Sequence, residues 1–168
     1  MKDGNLTRGA GPVKEHCPDC GTPVEGGRAG CQSLLDELTA LAYASPQFAA
    51  VHSLAFDAYC MQHPDRYCRS AKSYAAHLTR LCCGLEYDGR PDVYRAIQKW
   101  LNGNVEIEKP DALEKRGRMT IAEVLAYAGP QERIAAVHAW AGDVWRAHAH
   151  QHDLARRRIR EALAMARQ

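Results

Sequence analysis

Apolar residues recur at helical steps along most of the chain beyond Cys31. Leu34, Leu38 and Leu41 follow at three- and four-residue intervals and stop at Ser45-Pro46. A second helix is predicted from Pro46, with Phe48, Val51, Ala55 and Ala58 on one face, closing at His63-Pro64 because proline pushes the preceding residue out of helical geometry. Tyr74, Leu78, Leu81 and Leu85 mark a third, from about Ser70 to Leu85. Val93, Ile97, Trp100 and Leu101 mark a fourth, stopped by Asn102-Gly103-Asn104. Residues 105–118 are charged and aperiodic and read as an exposed connection. Thr120-Ile121-Ala122-Glu123 is a capping box that opens a short helix ending at Gly129-Pro130. From Ile134 to Ala166 helical spacing continues, as one long helix or as two broken near residues 148–152. No strand pattern competes, so the expected fold is all-α: a helical bundle.

Residues 1–30 differ in texture. Seven glycines and three prolines leave no regular helix and few large apolar side chains to bury. Residues 1–12 are expected to be a flexible tail, and 13–168 a single helical domain with a small N-terminal Cys-rich zinc knuckle at 15–31. The length of 168 residues suits one domain, and 46% hydrophobic with 25% charged residues excludes a disordered or fibrous chain. No apolar run approaches the ~20 residues of a membrane span, and the polar start Met1-Lys2-Asp3 lacks the apolar core of a signal peptide. A net charge of +2 is too balanced for a general nucleic-acid binder. With seven cysteines and no export signal, a cytoplasmic location is expected, where such cysteines more often hold metal than form cross-links.

Cys17-Pro18-Asp19-Cys20-Gly21 is the most specific local motif. Its turn brings two thiolates to face one point, and glycine after the second cysteine permits the reversed backbone. Cys31 is the best third ligand, expected in the first turn of the first helix, where the helix dipole favours a thiolate. The fourth follows from hairpin geometry. Cys31 lies 14 positions before Ser45, and Cys60 lies 14 after Pro46, with His63 one turn further. His52 would stand roughly 12–16 Å away at 1.5 Å per residue. His63 is therefore preferred; Cys60, Cys68 and His52 stay as alternatives. One closed, sulfur-rich site with a histidine favours zinc. Cys60, Cys68, Cys82 and Cys83 otherwise read as buried small hydrophobes.

A second stripe on the second helix, His52, Phe56, Tyr59, Cys60 and His63, predicts that this helix is surrounded by protein. With Asp57, and with Ser73 and His77 four residues apart on the next helix, it defines a candidate pocket of His52, Asp57, Tyr59, Ser73 and His77. Clustered imidazoles beside a carboxylate suit general acid–base work or a catalytic metal. Asp57 or Gln62 is also a candidate partner for a metal-bound His63.

The order Cys17-Pro18-Asp19-Cys20-Gly21, Gly30-Cys31, Val51-His52, Asp57-Ala58-Tyr59 with Gln62-His63-Pro64, then Ser73 and His77-Leu78, resembles a bacterial family of uncharacterised helical proteins, a domain of unknown function. The likeness covers most of residues 15–150 and implies a single helical domain with a cysteine-rich head, and no activity. A weaker likeness is to DinB-like bundles, which hold a metal with histidines from neighbouring helices; their three-histidine spacing is missing here.

Residues 131–168 carry seven Arg against four acidic residues, with Arg156-Arg157-Arg158 and Arg160 candidates for phosphate contact. His148 and His152 share a helix face that suits a stray divalent ion or plain exposure. Trp100, Trp140 and Trp145 are expected in the core. Three functions follow. The first is a zinc-stabilised, non-enzymatic interaction or regulatory module with an unidentified protein partner. The second is a metal-dependent enzyme using the pocket of His52, Asp57, Tyr59 and His77. The third is nucleic-acid binding through the basic terminal helix.

Overall fold

The structure, a computed structural model, describes residues 15–167, so the expected tail at 1–12 lies outside it. The helices run α1 (Gly27–Ala44), α2 (Pro46–Gln62), α3 (Pro64–Tyr67), α4 (Ala71–Glu86), α5 (Pro91–Asn102), α6 (Ile121–Leu125), α7 (Pro130–Ala147) and α8 (His152–Ala166). The described residues hold no strand, only one isolated bridge between His16 and Pro23. The fold is an all-α bundle. None of the described helices is long and apolar enough to cross a membrane.

Local chemistry sets most boundaries. Ser45 caps α2 by accepting the Phe48 N–H, with Pro46 at the first helical position. Ser70 caps α4 in a reciprocal box with Ser73. The Thr120 N–H donates to Glu123 Oε2 at the start of α6, 2.6 Å away. That helix stops at Leu125, short of the expected Gly129-Pro130. The terminal segment is two helices, parted by a 3₁₀ turn at Ala149–Gln151.

Helix α2 lies at the centre, packed against α1, α4 and α7, while α5 and α8 pair beside it. Ten of its residues are buried, among them the polar Asp57 and Gln62. Trp140 is fully buried, and Trp100 and Trp145 nearly so. Cys60, Cys68, Cys82 and Cys83 are each fully buried.

Three expectations need correction. Helix α1 begins at Gly27, not Cys31, so Cys31 sits in its second turn and the dipole argument for a thiolate there loses force. Glycine at position 30 is required locally: a Cβ there would collide with the Glu25 carbonyl oxygen of the turn that leads into the helix. The connection 105–118 is irregular but not merely exposed. Val105 and Ile107 pack on the core, and Arg158 of α8 holds the Glu108 carbonyl at 2.6 Å. His148 and His152 are not a free exposed pair: His148 is buried with Nδ1 donating to the Val144 carbonyl, and His152 stacks on Trp145 at 3.8 Å.

Candidate metal centre

The Cys17–Gly21 turn is tied by its own backbone. Cys17 N–H donates to the Thr22 carbonyl and Gly21 N–H to the Cys17 carbonyl, each at 2.8 Å. Gly21 takes φ +79°, a conformation open to glycine and strained for other residues. Arg28 clamps the turn to α1 through two bonds to Asp19, at 2.8 and 2.9 Å. The turn thereby faces the C-terminal end of α2, where His63 follows the last helical residue.

Cys17, Cys20, Cys31 and His63 converge there, with their donor atoms within 4.8 Å of one another. His63 Nε2 lies 3.6 Å from Cys17 Sγ and 3.5 Å from Cys31 Sγ, and Cys20 Sγ lies 3.7 Å from Cys31 Sγ. Cys17, Cys31 and His63 are buried, and Cys20 is half-buried. This Cys₃His set can hold a metal ion. The hairpin register explains the choice of His63: α1 and α2 run antiparallel from Ser45-Pro46, so the far end of α2 returns to Cys31.

Neighbouring groups orient the donors. His63 Nδ1 donates to the Tyr59 carbonyl at 2.7 Å, which leaves Nε2 facing the sulfurs. The Tyr59 hydroxyl donates to Cys31 Sγ at 3.5 Å, and its ring stacks on His63 at 3.9 Å. The buried Thr22 hydroxyl lies 2.9 Å from Cys20 Sγ. In the metal-free chain, bonding to Cys31 and then burial push the Cys20 thiol up to about 11. The same bond pulls Cys31 down, and burial raises Cys17.

The other candidates are dispersed. Asp57 is fully buried, pairing with His77 Nδ1 at 2.9 Å and with Arg80 Nε at 3.1 Å. His52 Nε2 lies instead 3.2 Å from Thr39 Oγ1. The ring of Phe56 packs against both His52 and His77, at 6.4 and 5.9 Å. Ser73 belongs to the α4 cap, and Tyr59 to the metal centre. Of the five expected pocket residues the structure pairs Asp57 with His77, while about two turns of α2 aim His52 and Tyr59 toward other neighbours and Ser73 stays in the α4 cap. Nor does Asp57 or Gln62 support His63. Gln62 accepts from Trp140 Nε1 at 3.0 Å and donates to the carbonyls of Met119 and Arg116 at 2.9 and 3.3 Å.

The sequence model of a family of unknown function, DUF5946, matches residues 15–149. The chain belongs to that family. The match begins at the cysteine turn, contains all four donor residues and ends before α8. No curated protein and no solved structure matches the chain.

Two features escaped sequence reasoning. Thr22, next to the motif, had a visible signal: a hydroxyl two residues after a ligand cysteine is placed to donate to its sulfur. Arg116, whose guanidinium bonds the carbonyls of Leu113, Gln62 and Asp19, carried none within an aperiodic charged run.

Proposed function

We propose that the Cys₃His centre holds one structural zinc ion and that the chain works as a zinc-stabilised, non-enzymatic interaction module. The spacing of the donor atoms carries this reading. With zinc–sulfur bonds of about 2.3 Å and zinc–nitrogen bonds of about 2.0–2.1 Å, a tetrahedron has sulfur–sulfur edges near 3.8 Å and sulfur–nitrogen edges near 3.5 Å. Three of the six edges, at 3.7, 3.6 and 3.5 Å, match those values, and all four donor atoms lie within 4.8 Å of one another. Four protein donors complete the shell, so no position remains for a water or substrate to be activated. A bound ion would also fasten the glycine-rich segment, which buries little apolar surface of its own, to α1 and α2.

The enzyme reading has less support: Asp57 and His77 pair with each other beside Arg80, but His52 is engaged with Thr39 and Tyr59 with Cys31. The terminal helix is also a weaker nucleic-acid surface than its sequence suggests. Arg156 pairs with Glu86 and Asp153, Arg157 lies near Glu161, and Arg158 is buried.

Metal analysis of purified protein tests the centre. One zinc per chain is expected, lost in Cys17→Ser and in His63→Ala and kept in His52→Ala. Zinc that survives His63→Ala, or a second equivalent that depends on His52, overturns the structural assignment.

A further inference from the structure

The cysteine turn stands between two cavities that meet at Asp19. The larger, about 510 Å³, lies between the turn, Gln62, residues 114–118 and α7. Its basic residues are Lys115, Arg116, Arg118 and Arg146. The smaller, about 280 Å³, lies between Asp19, the end of α2 and α3, with Arg28, Arg66 and Arg69 on its walls. Against these seven cations stand four carboxylates: Asp19, Asp65, Glu114 and Asp143. Asp19 is held by Arg28. Asp143 accepts the Arg118 and Met119 amides and faces Arg146. Among the described residues, Arg66, Arg69, Lys115, Arg116 and Arg118 have no carboxylate within 4.0 Å; the salt bridges on this face are Arg28–Asp19 and Arg146–Asp143, and the others lie elsewhere.

This is a segregation of charge. The chain has 22 basic and 20 acidic residues, and Lys2, Arg8, Lys14 and Asp3 fall outside residues 15–167, which leaves 19 of each sign there. Three surplus positive charges on this face therefore mean three surplus negative charges over the rest. A zinc ion with three thiolates adds one negative charge behind the face, which still stays basic.

We propose that this face binds nucleic acid through its phosphodiester backbone. The inference rests on the interaction-module reading and names its partner. Six of the seven cations are Arg, whose planar fork matches phosphate oxygens two at a time. Arg116 is held ready by three neutral carbonyls and keeps its full charge for a ligand. Two adjoining basic cavities suit a polymer with an anion at every step better than a single anion. Neither cavity offers an exposed aromatic ring for stacking, so the expected recognition is of backbone and independent of sequence.

Fluorescence anisotropy of a labelled single-stranded oligouridylate with full-length protein tests this, with zinc content measured on the same samples. Zinc-loaded protein should bind, with affinity falling steeply as salt rises. Lys115 and Arg118 are exposed and their side chains make no intramolecular bond among the described residues, so Lys115→Ala/Arg118→Ala should stay folded. That variant should bind at least ~10-fold more weakly at low salt, with a log–log salt slope smaller by about 1.4, from about 0.7 per phosphate contact on a single strand. An Arg157→Ala/Arg160→Ala variant on α8 should bind as wild type does. Zinc-loaded protein that does not bind, loss of binding in the α8 variant alone, or equal competition by polyglutamate overturns the proposal. Protein that contains no zinc overturns the zinc reading instead.

Discussion

At the residue scale, the centre depends on how few alternatives its donors have. His63 is fixed in one tautomer by the Tyr59 carbonyl, and the Tyr59 hydroxyl can only donate to Cys31, because burial and the adjacent sulfur hold the phenol well above its ordinary range. A donated hydrogen bond disperses part of the thiolate's charge and fixes the orientation of the sulfur at the centre. Tyr59→Phe keeps the ring on His63 and removes that bond, so metal affinity should fall about 10-fold with little change in fold. Competition with a chromophoric chelator reads the affinity, and far-UV circular dichroism checks the fold. An unchanged affinity would leave the hydroxyl with no role at the centre. The motif made Cys17 and Cys20 legible, because a four-residue turn fixes both sulfurs by itself.

At the scale of elements, Gln62 joins three pieces of chain that are distant in sequence. One carboxamide serves Trp140 of α7 and two carbonyls of the strap at 116–119. Gln62→Ala would strand a fully buried indole N–H and release the strap beside the cysteine turn. The expected loss is about 2–4 kcal/mol, since a stranded buried donor costs more than a bond contributes when made. Urea unfolding measures it, and a loss below ~1 kcal/mol would show that water or another acceptor replaces the amide. Periodicity located α1, α2, α4 and α5 because each has an apolar stripe and a clear stop, whereas for α7 and α8 it gave the stripe and left one helix or two open. It missed the true start of α1, where Gly30 is kept by its close approach to the Glu25 carbonyl. It also missed the packed strap, whose anchors are single side chains from other elements.

At the scale of the whole molecule, burial of polar groups couples stability to pH. His148 is buried and its burial holds the imidazole below its ordinary value of 6.5, so the folded chain refuses a proton that the unfolded chain accepts. With more protons on the unfolded state, stability falls as pH drops below 6.5 and is regained above it. In His148→Asn, whose amide can still donate to Val144, the fall in thermal midpoint between pH 6.5 and 5 should be shallower than in wild type. Zinc content must be equal in the two proteins across that window. Parallel profiles would place the acid sensitivity elsewhere.

The sequence by itself determined the helical class, the cysteine turn and the identity of the groups able to bind metal, because each depends on spacing within a few residues. The hairpin register ranked His63 ahead of Cys60, Cys68 and His52, and the packed end of α2 then placed its Nε2 against the sulfurs. That His52 and Tyr59 stand apart from the Asp57–His77 pair depended on the rotation of α2 about its axis, which α1, α4 and α7 set by packing, while Ser73 is held in the α4 cap. The seven cations of the basic face come from four separate stretches of chain. A near-neutral composition conceals it, because net charge sums over the chain whereas a ligand meets only the charges that folding brings together.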